Sequence, residues 1–167
     1  VTLTVPPTTN EAITFVVYGR PAPQGSKRAF THPRTGKAML IEQVQANIKL
    51  WRDDVRNVAQ GWLDHCGPRD LLCGPLAVTM VFSAARPKNH YRTGRNAHLL
   101  RDSAPTRPAS TPDLSKLARS TEDALTGVIW KDDAQIVEYR RLAKVYVGED
   151  PLALDRPGAQ IVITPLV

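Results

Sequence analysis

The sequence predicts an α+β fold: a mostly antiparallel sheet of about four strands with two main helices packed on one face. Three observations support it. Four β-rich runs are separated by turn-forming residues. Two segments carry apolar residues at alternating spacings of three and four. The order along the chain is β-α-β, a long loop, then α-β-β, a sequence of elements that builds a sheet with helices segregated to one side.

The first strand is read from "ITFVVYG", residues 13–19, which ends at a glycine. Residues 20–38 hold Pro21, Pro23, Pro33, Gly25 and Gly36 and predict a loop. From about residue 40 to 64 the pattern turns helical. Ile41, Val44, Ile48, Trp51, Val55, Val58, Ala59 and Trp62 form one apolar stripe. The two tryptophans lie on that stripe, so they are expected in the core and not as platforms for bases. "LAVTMVFSA", residues 76–84, predicts the second strand. Residues 85–112 show little periodicity and several prolines, a long loop of the kind that is functional or disordered. Thr111-Pro112-Asp113 reads as a helix start, and "DLSKLARSTEDAL" as the helix. "AQIVEYRRLAKVYVG" alternates as a third strand, and "GAQIVITPLV" supplies the fourth.

The 167 residues suit one domain over 13–167, after a flexible lead-in over 1–12. Apolar residues make up 42% and charged residues 23%, values of a globular chain and not of a disordered one. No apolar run reaches the roughly 18 residues of a membrane helix, and the N-terminal residues lack the pattern of a signal peptide. A cytoplasmic location is expected. Cys66 and Cys73 are read as reduced thiols, and their spacing to the histidines fits no common zinc finger.

The net charge is +6, unevenly spread. Residues 20–37 hold Arg20, Lys27, Arg28, Arg34 and Lys37 and no acid. Residues 86–108 hold Arg86, Lys88, Arg92, Arg95, Arg101 and Arg107 against Asp102. Each segment is therefore +5 and the remainder of the chain −4. Such segregation points to a polyanion partner; solvated basic loops are the plainer alternative.

Carboxylates in such a surround need a reason, because phosphates repel them unless a cation bridges the two. Mg²⁺ takes carboxylate, phosphate and water oxygens. Asp113 at the helix start and the pair Asp132-Asp133 before the third strand are the candidates. Each has a simpler reading: Asp113 as a helix N-cap, Asp132-Asp133 as turn residues. Asp123, four residues after Arg119, reads also as an i,i+4 ion pair. Glu122 is expected on the solvated side.

The stretch "TPDLSKLARSTEDALTGVIWKDDAQIVEYR", residues 111–140, resembles the RusA-type Holliday junction resolvases, in a phage- and actinobacterial-like variant. The likeness rests on Pro-Asp, then Leu-x-Arg, Asp-Ala-Leu and Asp-Asp-x-Gln. "GRPAPQGSKR", "LWRDDV" and the basic "RPKNHYRTGRN" are similar to weaker family features. The resemblance implies a homodimer, dependence on Mg²⁺ with Mn²⁺ as a substitute, and paired nicking of four-way DNA junctions. It places Asp113, Asp133 and Asp132 in the catalytic and metal-binding positions. Arg119 stands where many members carry a lysine. Asp123 is a further candidate ligand. Lys27, Arg28, Arg34, Lys88, Arg92, Arg95 and Lys116 are the candidate DNA contacts. Ser115 is the departure: it occupies the position of the family's second motif aspartate, and a hydroxyl is a poorer Mg²⁺ ligand than a carboxylate. Glu122, Asp123 or Asp132 could replace it, one metal could suffice, or the chain could bind junctions without cutting them. An enzyme of small phosphorylated substrates is a third reading, disfavoured by the number of basic residues.

Overall fold

The alternation of Ile13, Phe15 and Val17 with Thr14, Val16 and Tyr18 makes β1 (Ile13–Tyr18) a strand with one buried face. The computed structural model describes residues 11–25, 41–67 and 70–166. The expected lead-in is therefore mostly outside the described residues, as are Lys27, Arg28 and Arg34. The other elements are α1 (Ile41–Cys66), β2 (Leu76–Ala84), α2 (Leu114–Leu125), β3 (Ile136–Tyr146) and β4 (Gly158–Pro165).

All six lie close to where the hydrophobic pattern puts them. The sheet runs in the order β1-β4-β2-β3. β4 pairs antiparallel with both β1 and β2, while β2 and β3 run parallel. β2 is central and buried almost throughout, which explains its continuous apolar sequence. The parallel pair follows from the connection: β2 reaches β3 through a long loop and α2, a crossover that returns the chain to the same end of the sheet.

Both helices bury their stripes against β1, β2 and β4. Trp51, Val55 and Ala59 of α1 meet Val78, Met80, Phe82, Ile161 and Ile163, joined by Leu117, Ala118 and Leu125 of α2. Trp51 is fully buried and its indole N–H donates to Thr121 Oγ1 at 3.1 Å, tying α1 to α2. That hydroxyl in turn donates to Leu117 O at 2.9 Å, so no polar atom of the trio is wasted.

The stretch over 85–112 is a loop, as its prolines predict, and a folded one. It contains two short 3-10 turns, Lys88–His90 and Gly94–Asn96, and a bridge between Tyr91 and Leu100. Arg86 anchors it. The guanidinium pairs with Glu149, donates to Pro105 O at 2.9 Å and lies 3.9 Å from the centroid of the Tyr146 ring. Arg101 Nε donates to Tyr91 O at 2.8 Å, and Arg92 is paired with Asp102 at 2.8 Å. Periodicity cannot reveal a loop held by side-chain-to-backbone bonds. Arg86→Met is expected to leave the sheet intact and to raise the rate of limited proteolysis within 87–107 several-fold, read by mass spectrometry of the fragments.

Candidate functional site

The site is built around the start of α2 and the loop before β3. Pro112 ends the long loop, and Asp113 takes the N-cap position with extended backbone. Its side chain makes no capping hydrogen bond. The N-cap reading therefore describes the backbone but not the carboxylate, which remains available. Lys116 Nζ sits 2.7 Å from it and, by hydrogen bond and charge, holds the Asp113 carboxyl below its ordinary range; Lys144 adds a smaller pull.

Lys144 comes from β3, where register places it beside Phe82 on the helix-covered face. Its ammonium donates to Ser110 O and, at 2.7 Å, to Pro112 O. It thus fixes the two carbonyls that flank Thr111 just before Asp113. Nothing in the alternating run "YRRLAKVY" marks this lysine from its neighbours, because the partners are backbone atoms distant in sequence.

At the other end of α2, the 3-10 turn Asp133–Gln135 presents the aspartate pair. Asp132 accepts from Ala134 N at 2.8 Å, and Gln135 Oε1 accepts from Asp132 N at 2.9 Å, a reciprocal capping box. Gln135 Nε2 donates to Leu72 O at 2.9 Å and Gly74 O at 3.0 Å, which clips the turn to the segment before β2. The Asp-Asp-x-Gln motif thus divides its labour. Asp132 and Gln135 shape the turn, and Asp133 is left exposed.

Ser115, Arg119 and Glu122 follow at spacings of four and three along α2, so they share one line of the helix. Ser115 and Arg119 are exposed. Glu122 is buried at 8% exposure, not solvated as its position suggested, and accepts a hydrogen bond from the Tyr139 hydroxyl of β3. Burial pushes the Glu122 carboxyl up, and the charges of Asp133 and Asp123 push it further, partly offset by the Tyr139 bond and Arg119. The Tyr139 phenol is pushed up by burial and by Glu122. A carboxyl with a raised folded pKa is penalised when ionised, above that value, and unpenalised below its unfolded value. Glu122→Gln is therefore expected to melt above wild type at pH 8, with the gap closing as pH falls toward 4, read by thermal denaturation across pH.

Asp123 pairs with Arg52 of α1, not with Arg119, so one of its oxygens is engaged between the helices. Among the described residues, no three His, Cys, Asp or Glu side chains converge closely enough to hold a metal ion. Arg119, Lys88 and Arg95 have no ion-pair partner among the described residues, whereas Arg92 and Lys116 are paired. Gln24 N–H donates to Lys116 O at 3.0 Å, which docks residues 20–25 on the first turn of α2. No described helix is long and apolar enough to cross a membrane.

A family model described as endodeoxyribonuclease RusA matches residues 19–162. A Bacillus subtilis (strain 168) protein described as uncharacterized protein YqaN is 28% identical over 141 residues, covering 84% of this chain and 92% of that protein.

Proposed function

The chain belongs to the RusA endodeoxyribonuclease family, and from that premise we propose that it is a metal-dependent nuclease that resolves four-way DNA junctions by paired phosphodiester hydrolysis. The observation that carries the reading is that neither Asp113 nor Asp133 spends its carboxylate on a cap: Asp132 closes the turn beside Asp133, and Asp113 makes only an exposed ion pair with Lys116.

The donor set suits Mg²⁺ or Mn²⁺. Asp113 and Asp133 offer exposed, hard oxygen atoms. Asp133 also stands near the ionisable Glu122 and raises its pKa, so negative charge is in excess where a cation would relieve it. When bound, the metal would polarise the phosphoryl oxygen and supply hydroxide for in-line attack. Asp133 would hold it, with Asp132 and Asp123 limited by the bonds they already make; Asp113, at the opposite end of α2, would offer a separate ligand. Glu122, two helical turns along from Ser115, would add to the acidic group at Asp133. Arg119, free and on the Ser115–Glu122 line, stabilises charge on the phosphoryl oxygens. It keeps its proton at neutral pH, so it acts electrostatically and not as an acid or base.

Lys88 and Arg95 on the folded loop would meet DNA phosphates, with Arg92 and Lys116 joining them by exchange from their aspartates. Residues 20–25 dock on the first turn of α2, and Lys27 and Arg28 would add to the DNA contacts. A homodimer would deliver the paired cuts that a four-way junction requires. A cytoplasmic location fits a DNA substrate.

The test is nicking of a labelled synthetic junction against linear duplex of the same sequence, in Mg²⁺, Mn²⁺ and EDTA. Metal-dependent, symmetric nicks in the junction alone are expected. Ser115 favours a second reading, a junction-binding protein that does not cut. Tight binding without cleavage by wild type, together with cleavage by Ser115→Asp, would establish it and overturn the first.

A further inference from the structure

A cavity of about 480 Å³ opens directly behind Asp113. Thr111 and Pro112 form one wall, Arg20, Pro21 and Pro23 another, and Ile48 with Asp54 of α1 the floor. The size is that of a small-molecule site. Three prolines and an isoleucine give it flat apolar sides. The polar group aimed into it is unusual. Asp54 is half-buried and has no hydrogen-bond or ion-pair partner among the described residues. Burial, and then its neighbour Asp53, push its carboxyl above the ordinary range.

The position of Asp54 is built into the backbone. Gly19 has φ +144°, and a Cβ there would lie 2.6 Å from Asp54 Oδ2. Only glycine lets the carboxylate lie so close to the end of β1. The fold thus makes room for a half-buried acceptor at the cavity and gives it no donor among the described residues.

The missing donor can be identified by chemistry. A lone carboxylate is too few ligands for Mg²⁺ or Ca²⁺. A free cationic side chain would be repelled by Arg20 on the rim. A planar ring with an N–H edge satisfies both features: it stacks on the proline walls and donates to Asp54. We propose that this cavity is a nucleobase pocket that receives one unstacked base beside the phosphate at Asp113, with Asp54 accepting from the base's amino group. The proposal rests on the nuclease reading above. A base can reach so recessed a site only out of the helical stack, and the centre of a branched junction is where unstacking costs least.

The experiment uses the full chain with Ca²⁺ and uncut junctions in which single bases flanking the cut are deaminated in turn: cytosine to uracil, adenine to hypoxanthine. Each change replaces the exocyclic amino donor by a carbonyl acceptor and turns the adjacent ring nitrogen from an acceptor into an N–H donor, so the donor offered to Asp54 moves by one ring position. Wild type is expected to lose about tenfold in affinity at one position. Asp54→Asn can offer its own N–H, so it is expected to lose or reverse that preference. Asn47→Phe, an exposed change at the mouth of the cavity, is expected to erase it without altering the melting temperature. If deamination has no effect at any position, or if wild type and both variants respond alike, the pocket proposal is overturned while the nuclease reading stands. If wild type binds junction no better than duplex, both fall.

Discussion

Asp133→Asn is expected to lower junction cleavage by about a hundredfold or more while leaving junction binding at least as tight as wild type. The size follows from removing one preorganised charged group at the reacting phosphate, which costs on the order of 10²–10³ in rate. Retained binding follows from charge: the change deletes a negative group that repels DNA when no metal is present. The structure also predicts that the loss is not one of folding. Asp132, not Asp133, closes the capping box, and Gln135 holds the turn to residues 72–74. Melting temperature is therefore expected to stay within the small range of surface substitutions. Asp132→Asn, which can still accept from Ala134 N, should cost far less activity than Asp133→Asn. Equal losses in the two variants, measured as single-turnover rates, would show that the pair acts as one unit.

The second large effect is on stability. Trp51→Ala removes one of the two largest side chains buried in the core and the indole donor to Thr121. The expected cost is about 3–5 kcal/mol, a fall of roughly 10 °C or more in melting temperature. Trp51→Phe separates the contributions. It keeps an aromatic ring against Phe82 but loses the donor, and Thr121 Oγ1 still donates to Leu117 O. That variant should lose only about 1–2 kcal/mol. Urea denaturation of the three proteins measures both differences. A Trp51→Phe loss as large as that of Trp51→Ala would mean that the hydrogen bond, not the volume, holds α1 to α2.

The helices and strands were legible because each shows a single periodicity. The stripe from Ile48 to Trp62 and the alternation in β1 leave little choice of element. Asp113 and Asp133 were singled out for a different reason: they lie in a dense local motif, and neither carboxylate is used as a cap. What the sequence hid was partnership across the chain. Glu122 is adjacent to Asp123, yet one is buried against Tyr139 and the other paired with Arg52. Only the packing of α2 between β3 and α1 separates their fates. Lys144 was missed because its partners are carbonyls of residues 110 and 112, and Asp54 because its close approach to Gly19 joins residues distant in sequence. The strand order was equally unreadable, since alternation says which face is buried and not which neighbour lies alongside.

That order has a consequence for assembly. β4 is the last strand in sequence and lies second in the sheet, between β1 and β2. Until it inserts, β1 has no ladder partner and the sheet is split. β2 and β3 must also close a loop that contains α2 before they can pair. Both events are non-local closures, which are entropically late in folding. A nascent or partly folded chain would therefore carry its basic segments, and some affinity for nucleic acid, before it possessed a cutting centre. Completion of the sheet is timed by the arrival of β4.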